Sequence, residues 1–169
     1  MSNYPAIELH SSEATLIDVT LRSWNTWVGR VSRLFESLSD ADLLAEIAPG
    51  KNRPVYLLGH LIAANDFMLP QLRLGYVTFP HLREIFVIEP DRAAAELPPI
   101  SQLRSNWTEL NAILASHFDQ LSPAQWLERH SGVSEKDFLR EPHRNRLSIL
   151  VGRTNHVSYH LGQLMFLAK

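Results

Sequence analysis

His156 and His160 stand four residues apart in the stretch Asn155-His156-Val157-Ser158-Tyr159-His160-Leu161-Gly162-Gln163. On a helix that spacing returns two side chains to nearly the same face, with about 40° of offset and about 6 Å of rise. Both imidazoles can then reach one point, where a metal ion can sit. The chain carries eight histidines in 169 residues, and random placement would give some pair at this spacing roughly one time in three. The pair needs support from an apolar helix around it and from a third donor elsewhere.

His60 is the best third donor. It sits alone in the apolar run Val55-Tyr56-Leu57-Leu58-Gly59-His60-Leu61-Ile62-Ala63-Ala64. A lone histidine there is ordinarily a core residue bonded to a carbonyl; the pair at 156 and 160 makes ligation the sharper alternative. Ala63 and Ala64 share its helical face and leave room beside an ion. Three neutral imidazoles with one position left open form a catalytic rather than a closed structural donor set. They suit a divalent ion, Zn²⁺ or Ni²⁺ first, with Fe²⁺ and Mn²⁺ also compatible.

Three polar residues flank the histidines. Tyr56, one turn before His60, either presents its hydroxyl to the site or is a core tyrosine. Arg153, one turn before His156, either holds a carboxylate substrate or makes a surface ion pair. Gln163, one turn after His160, either supports that ligand or is a partly exposed amide near a helix end. Val157 follows His156 where zinc peptidases place their glutamate base, so peptidase chemistry is not expected. No carboxylate falls on either histidine stripe, and no general base is assigned. The chain has no cysteine, hence no internal thiol nucleophile and no disulfide; a thiol supplied by a cosubstrate fits.

These residues need long helices to position them. Ser11 or Ser12 caps a first helix to about 38, with Leu16, Val19, Thr20, Trp24, Trp27, Val31, Leu34 and Leu38 as its buried stripe. Trp24 and Trp27 are read as core rather than as a ligand wall. A short helix follows over about 39–47. The second long helix covers about 54–74, with Pro54 in its first turn and Gly75 as its stop. A long connection spans 75–99 and is expected to pack on the body through Phe79, Ile85, Phe86 and Ile88. Ser101 caps a third helix to about 121, with Leu103, Trp107, Leu110, Leu114 and Phe118 buried. Short helices follow over about 122–129 and 134–141. The last helix runs from about 143 to 168, is apolar on more than one side, and is expected to be central. His81 is read as surface or loop, His117 as exposed or boundary, and His130 and His143 as solvated. The pattern gives an all-α chain, a four-helix bundle with a long connection between helices two and three and short extra helices, in a single domain over 1–169.

Hydrophobic residues make up 45%, charged residues 20%, and the net charge is −2, an ordinary globular balance. No cationic stripe suggests nucleic-acid binding. No apolar run approaches the roughly 18 residues of a membrane span, and residues 1–10 lack a signal-peptide pattern. A cytoplasmic protein acting on a small molecule is expected, without nucleic-acid or membrane partners.

Gly59-His60-Leu61 and His156-x-x-Tyr159-His160-x-Gly162-Gln163 together resemble the DinB-like superfamily, including its YfiT-type metal-dependent bundles. The resemblance covers essentially the whole chain in helix order. It implies a four-helix bundle, a homodimer, and a metal held by His60, His156 and His160. Many members carry arginine immediately before the Gly-Gln pair; here Leu161 stands there, and that arginine's role is not carried over. Relatives include transferases of bacillithiol, mycothiol or glutathione and thiol-dependent isomerases of maleylpyruvate. The resemblance therefore implies a metal-dependent enzyme transferring a low-molecular-weight thiol to a small electrophile. The alternatives are a non-catalytic metal- or ligand-binding bundle and a metal-assisted hydrolase.

Overall fold

The computed structural model describes residues 11–167. The lead-in at 1–10 and the expected helix end at Ala168 lie outside the described residues. The described residues form eight α-helices: α1 (Ser12–Ser37), α2 (Asp40–Leu44), α3 (Pro54–Asp66), α4 (Met68–Gln71), α5 (Ile100–Phe118), α6 (Pro123–Trp126), α7 (Glu135–Arg140) and α8 (Arg146–Leu164). A π-helical turn covers Glu84–Ile88 and a 3-10 turn Met165–Leu167. No strand occurs among the described residues; one isolated bridge pairs Arg129 with Asn145.

α3 is the innermost helix. Twelve of its thirteen residues are buried, and the exception is His60. Such all-round burial explains why its sequence is apolar on every side. α5 and the π-turn pack on it, and α8 crosses it. α1 lies along α8 and reaches α5 through edge-on ring pairs, Trp24 with Phe118 and Phe35 with Trp107, each with centroids 6.2 Å apart. The Trp107 indole N–H donates to Ser32 Oγ at 2.8 Å, so this buried indole is satisfied.

The buried stripe of α1 differs from the expectation. Ile17, Trp24, Val31 and Phe35 are buried, whereas Leu16 and Val19 are 65% and 58% exposed. Ile17, Trp24 and Val31 repeat every seven residues, which keeps them on one line. Leu16 and Val19 lie about 100° and 160° away from Ile17 around the helix. Trp24 is core as expected; Trp27 is half-buried, with the Arg30 guanidinium 4.9 Å from its ring centroid. α8 is not central: Leu150, Val157, Leu161 and Leu164 are buried, while Val151 and Tyr159 face outward.

The second long helix is shorter than expected. α3 stops at Asp66, Phe67 interrupts, and α4 begins at Met68. Pro70 cannot donate to the carbonyl four residues earlier, and restarting the helix at Met68 places it in a first turn, where no donor is needed. The end comes at Arg73 rather than Gly75. Arg73 has φ 58°. Its N–H bonds to Pro70 O at 3.3 Å, and that of Leu74 bonds to Leu69 O at 2.8 Å, which is a Schellman ending with arginine in the usual glycine position. α5 starts one residue before the expected cap at Ser101, behind Pro99, and its five-residue apolar stripe is fully buried. α8 starts at Arg146 rather than 143 because Asn145 caps it, accepting from Ser148 N at 3.0 Å.

The long connection is pinned to α3 at both ends. Buried Asp66 accepts the N–H of Thr78 at 2.8 Å and of Phe79 at 2.7 Å. Asp91 accepts the N–H of Arg53 at 2.8 Å and pairs with its guanidinium at 2.6 Å. Burial pushes the Asp91 carboxyl up, but those bonds from Arg53 outweigh it and hold the group below its usual range. Phe86 is fully buried, Phe79 and Ile85 are half-buried, and Ile88 is exposed, contrary to expectation. It sits two residues past Phe86, on the opposite side of the turn. His81 and His143 are exposed and His117 is at the boundary, as expected. His130, expected to be solvated, is instead half-buried, and its Nδ1 accepts from Gly132 N at 3.1 Å.

Candidate metal centre

α3 and α8 cross so that His60, His156 and His160 bring their Nε2 atoms together. His156 Nε2 lies 3.1 Å from that of His60 and 3.0 Å from that of His160. Two donors each about 2.0–2.1 Å from one ion stand roughly 3.0 Å apart at a right angle and roughly 3.4 Å apart at the tetrahedral angle. The spacing fits a shared ion, and the three form a group that could hold one.

Two of the three rings are fixed in the required tautomer. His60 Nδ1 donates to the Phe86 carbonyl at 2.7 Å. His160 Nδ1 donates to Gln163 Oε1 at 2.8 Å, with the amide oriented so that its Nε2 donates to the Tyr159 hydroxyl at 3.1 Å. Each Nδ1 thus carries its proton, and each Nε2 offers a lone pair toward the common point. His156 Nδ1 is buried without a hydrogen-bond partner among the described residues. Burial, then the neighbouring His160, His60 and Arg153, push the His156 pKa down to about 4. Burial likewise lowers that of His160, against an opposing bond from Gln163. Neutral imidazoles are the form that ligates.

That shift has a sign in stability. Between about pH 4 and 6.5 the unfolded chain protonates His156 and the folded chain does not, so acid favours unfolding. The chelator-treated protein should melt at a lower temperature at about pH 5 than at about pH 7.5, and His156→Gln should flatten that dependence; calorimetry at both pH values checks it.

The flanking residues divide. Gln163 contacts His160 as a supporting group would. The Tyr56 ring lies nearly parallel to His60, at 6.3 Å and 14°, but its hydroxyl donates to the Glu89 carbonyl at 2.8 Å and is turned from the site. Burial, then Asp91, raise its pKa. Arg153 makes no ion pair among the described residues; it is half-buried and lines a cavity of about 360 Å³ together with His60, His156, Ala63 and Ala64. The two alanines therefore leave space, as their size predicts. Phe67, Phe79 and Val87 add apolar wall, and Arg83 lines it from the long connection.

Residues 25–164 match the DinB superfamily over most of the chain. The chain belongs to the DinB superfamily. No curated protein matches it. Family membership and the histidine cluster together fit a metal-binding protein. No helix among the described residues is long and apolar enough to cross a membrane.

Three parts of this DinB-superfamily site escape side-chain patterns. The acceptor for His60 is a backbone carbonyl, that of Phe86, which leaves no signature of its own. Its one trace is Gly59, where a Cβ would fall 2.5–2.6 Å from the Phe86 ring. Arg83 arrives from an irregular segment. Asp66 is a lone carboxylate ending an apolar run, and the backbone N–H groups of Thr78 and Phe79 that it binds leave no mark in the side-chain pattern.

Proposed function

We propose that this chain is a metal-dependent enzyme that uses His60, His156 and His160 as ligands and directs a low-molecular-weight thiol at a small electrophile in the adjacent cavity. The observation that carries the reading is the convergence of three Nε2 atoms beside a cavity lined by two of the same histidines. A bound divalent ion, Zn²⁺ or Ni²⁺ by donor type, would supply a thiolate at neutral pH or acidify a bound water. The protein's part is to aim the rings through Phe86 O and Gln163, to shield the site with apolar walls, and to orient the second reactant.

The carboxylate inventory favours thiol over water. Asp66 is the single carboxylate among the described residues lining the cavity, and both its oxygens already accept backbone N–H groups. A hydrolase would want a spare base there; a thiol ionised at the metal needs none. With metal loaded, wild type should consume bacillithiol, mycothiol, glutathione or coenzyme A in the presence of halide or epoxide electrophiles, and His156→Ala should lose at least about 100-fold of that rate. Equal rates in wild type and His156→Ala with every one of these thiols would leave metal-assisted hydrolysis or simple binding.

The same reading includes a four-helix bundle built by α1, α3, α5 and α8, and a cytoplasmic homodimer without nucleic-acid or membrane partners. Support for the dimer comes from Leu16 and Val19 on α1 and Val151 on α8, all exposed, since apolar side chains grouped on one side mark association surfaces. Sedimentation at micromolar concentration should give the mass of two chains.

A further inference from the structure

We infer that the small molecule taken by the cavity carries a carboxylate, gripped by the Arg153 guanidinium with Arg83 at the rim, and a short apolar body lying on Ala63, Ala64 and Phe67. This rests on the reading above that the cavity beside the histidines is a substrate site.

Arg153 is singular among the described arginines. Six others pair with carboxylates: Arg22, Arg53, Arg92, Arg104, Arg144 and Arg146. Half-buried Arg129 donates to the Val133 carbonyl. The remaining ones except Arg153 are exposed. Arg153 alone is withdrawn from solvent without a hydrogen bond or ion pair. An arginine cannot shed its proton to escape that cost, and burial disfavours its charge. Asp66, the single carboxylate among the described residues lining the same cavity, is already committed to Thr78 and Phe79. An anionic guest would remove the penalty and gain a two-point, charge-assisted contact.

The lining then selects among anions. Apart from the histidines and the two arginines it offers no further donor side chain among the described residues: none of its described lining residues is a lysine, a hydroxyl or an amide. The N–H groups of Thr78 and Phe79, which could have helped cradle a phosphate, are taken by Asp66. One planar guanidinium matches the two oxygens of a carboxylate; a doubly charged phosphate would want more donors than remain. Arg153 precedes His156 by three residues, about 4.5 Å along α8. A carboxylate held there leaves the next few carbons of its owner beside the converging Nε2 atoms. A volume of about 360 Å³ is at the small end of ligand sites, which run from about 300 to 1,000 Å³.

The test is isothermal calorimetry with butyrate, butyramide and inorganic phosphate on wild type, Arg153→Gln, Arg153→Lys and Arg83→Gln, each metal-loaded and chelator-treated. Butyrate should bind wild type in both states, about 10-fold or more tighter than butyramide and than phosphate. Arg153→Gln should lose about 10-fold or more, Arg153→Lys should recover part of it, and Arg83→Gln should lose less. Butyrate weaker than about 10 mM in wild type, butyramide or phosphate binding as tightly, or unchanged affinity in Arg153→Gln would each overturn the inference. Because the chelated protein is measured too, the outcomes separate. Arg153-dependent butyrate binding without thiol consumption defeats the thiol-transfer reading; thiol consumption without that binding defeats only the carboxylate.

Discussion

Replacing His60 or His160 by alanine should strip the metal while leaving the fold standing. Protein purified without a nickel column should carry roughly stoichiometric metal as wild type and less than about a tenth of that in either variant. Losing one outer partner of a ligand typically costs about 10–100-fold in affinity, and losing a direct donor removes more than a partner does. Gln163→Leu should therefore fall between wild type and the histidine variants, because it frees His160 Nδ1 but leaves all three Nε2 atoms in place. Stability should change by no more than about 1–2 kcal/mol. The core does not depend on the imidazoles: α3 is buried on every other residue, and α1, α5 and α8 pack through leucines and aromatics. Chelation should likewise leave the melting curve nearly in place. A chain that unfolded on chelation would have a structural metal instead.

The sequence made the long helices and the meeting of their histidines legible for a common reason. Periodicity reports which side of a helix faces inward, and a polar residue on that side stands out against it. His60 was visible because everything around it was apolar, and His156 with His160 because their spacing matches the helical repeat. The same logic failed where periodicity was ambiguous. In α1, Leu16 and Ile17 are adjacent apolar residues, and only the partner helices decide which goes inside. In the second long helix, the apolar pattern runs smoothly through 54–74 and conceals a break that Pro70 and the left-handed Arg73 impose. Arg153 illustrates a third limit. Its position beside the site was evident from spacing, but its lack of a carboxylate partner depends on where every acidic side chain ends up. Asp66 lies in the same cavity, and only its bonds to Thr78 and Phe79 show that it is already committed.

Gly59→Ala should weaken both the core and the metal site, through one contact. A Cβ at position 59 would sit 2.5–2.6 Å from three atoms of the Phe86 ring, and Phe86 is completely buried, so the ring has no solvent to retreat into. Overpacking of this kind costs about 1–3 kcal/mol. The ring cannot shift without its own backbone, and that backbone supplies the carbonyl that holds His60 Nδ1 at 2.7 Å. Metal affinity should therefore drop by about 10-fold or more, the usual scale for a lost supporting acceptor. A second substitution separates this coupling from general damage. Phe86→Leu alone leaves a void and is destabilising, yet combined with Gly59→Ala it makes room for the added methyl group. The double variant should be more stable than the sum of the single effects predicts, by about 0.5–3 kcal/mol. Denaturant titration of the four proteins measures that term, and metal titration of the same four shows whether affinity follows it. Strict additivity, or a Gly59→Ala protein that binds metal as wild type does, would mean that the Phe86 ring does not set the aim of His60.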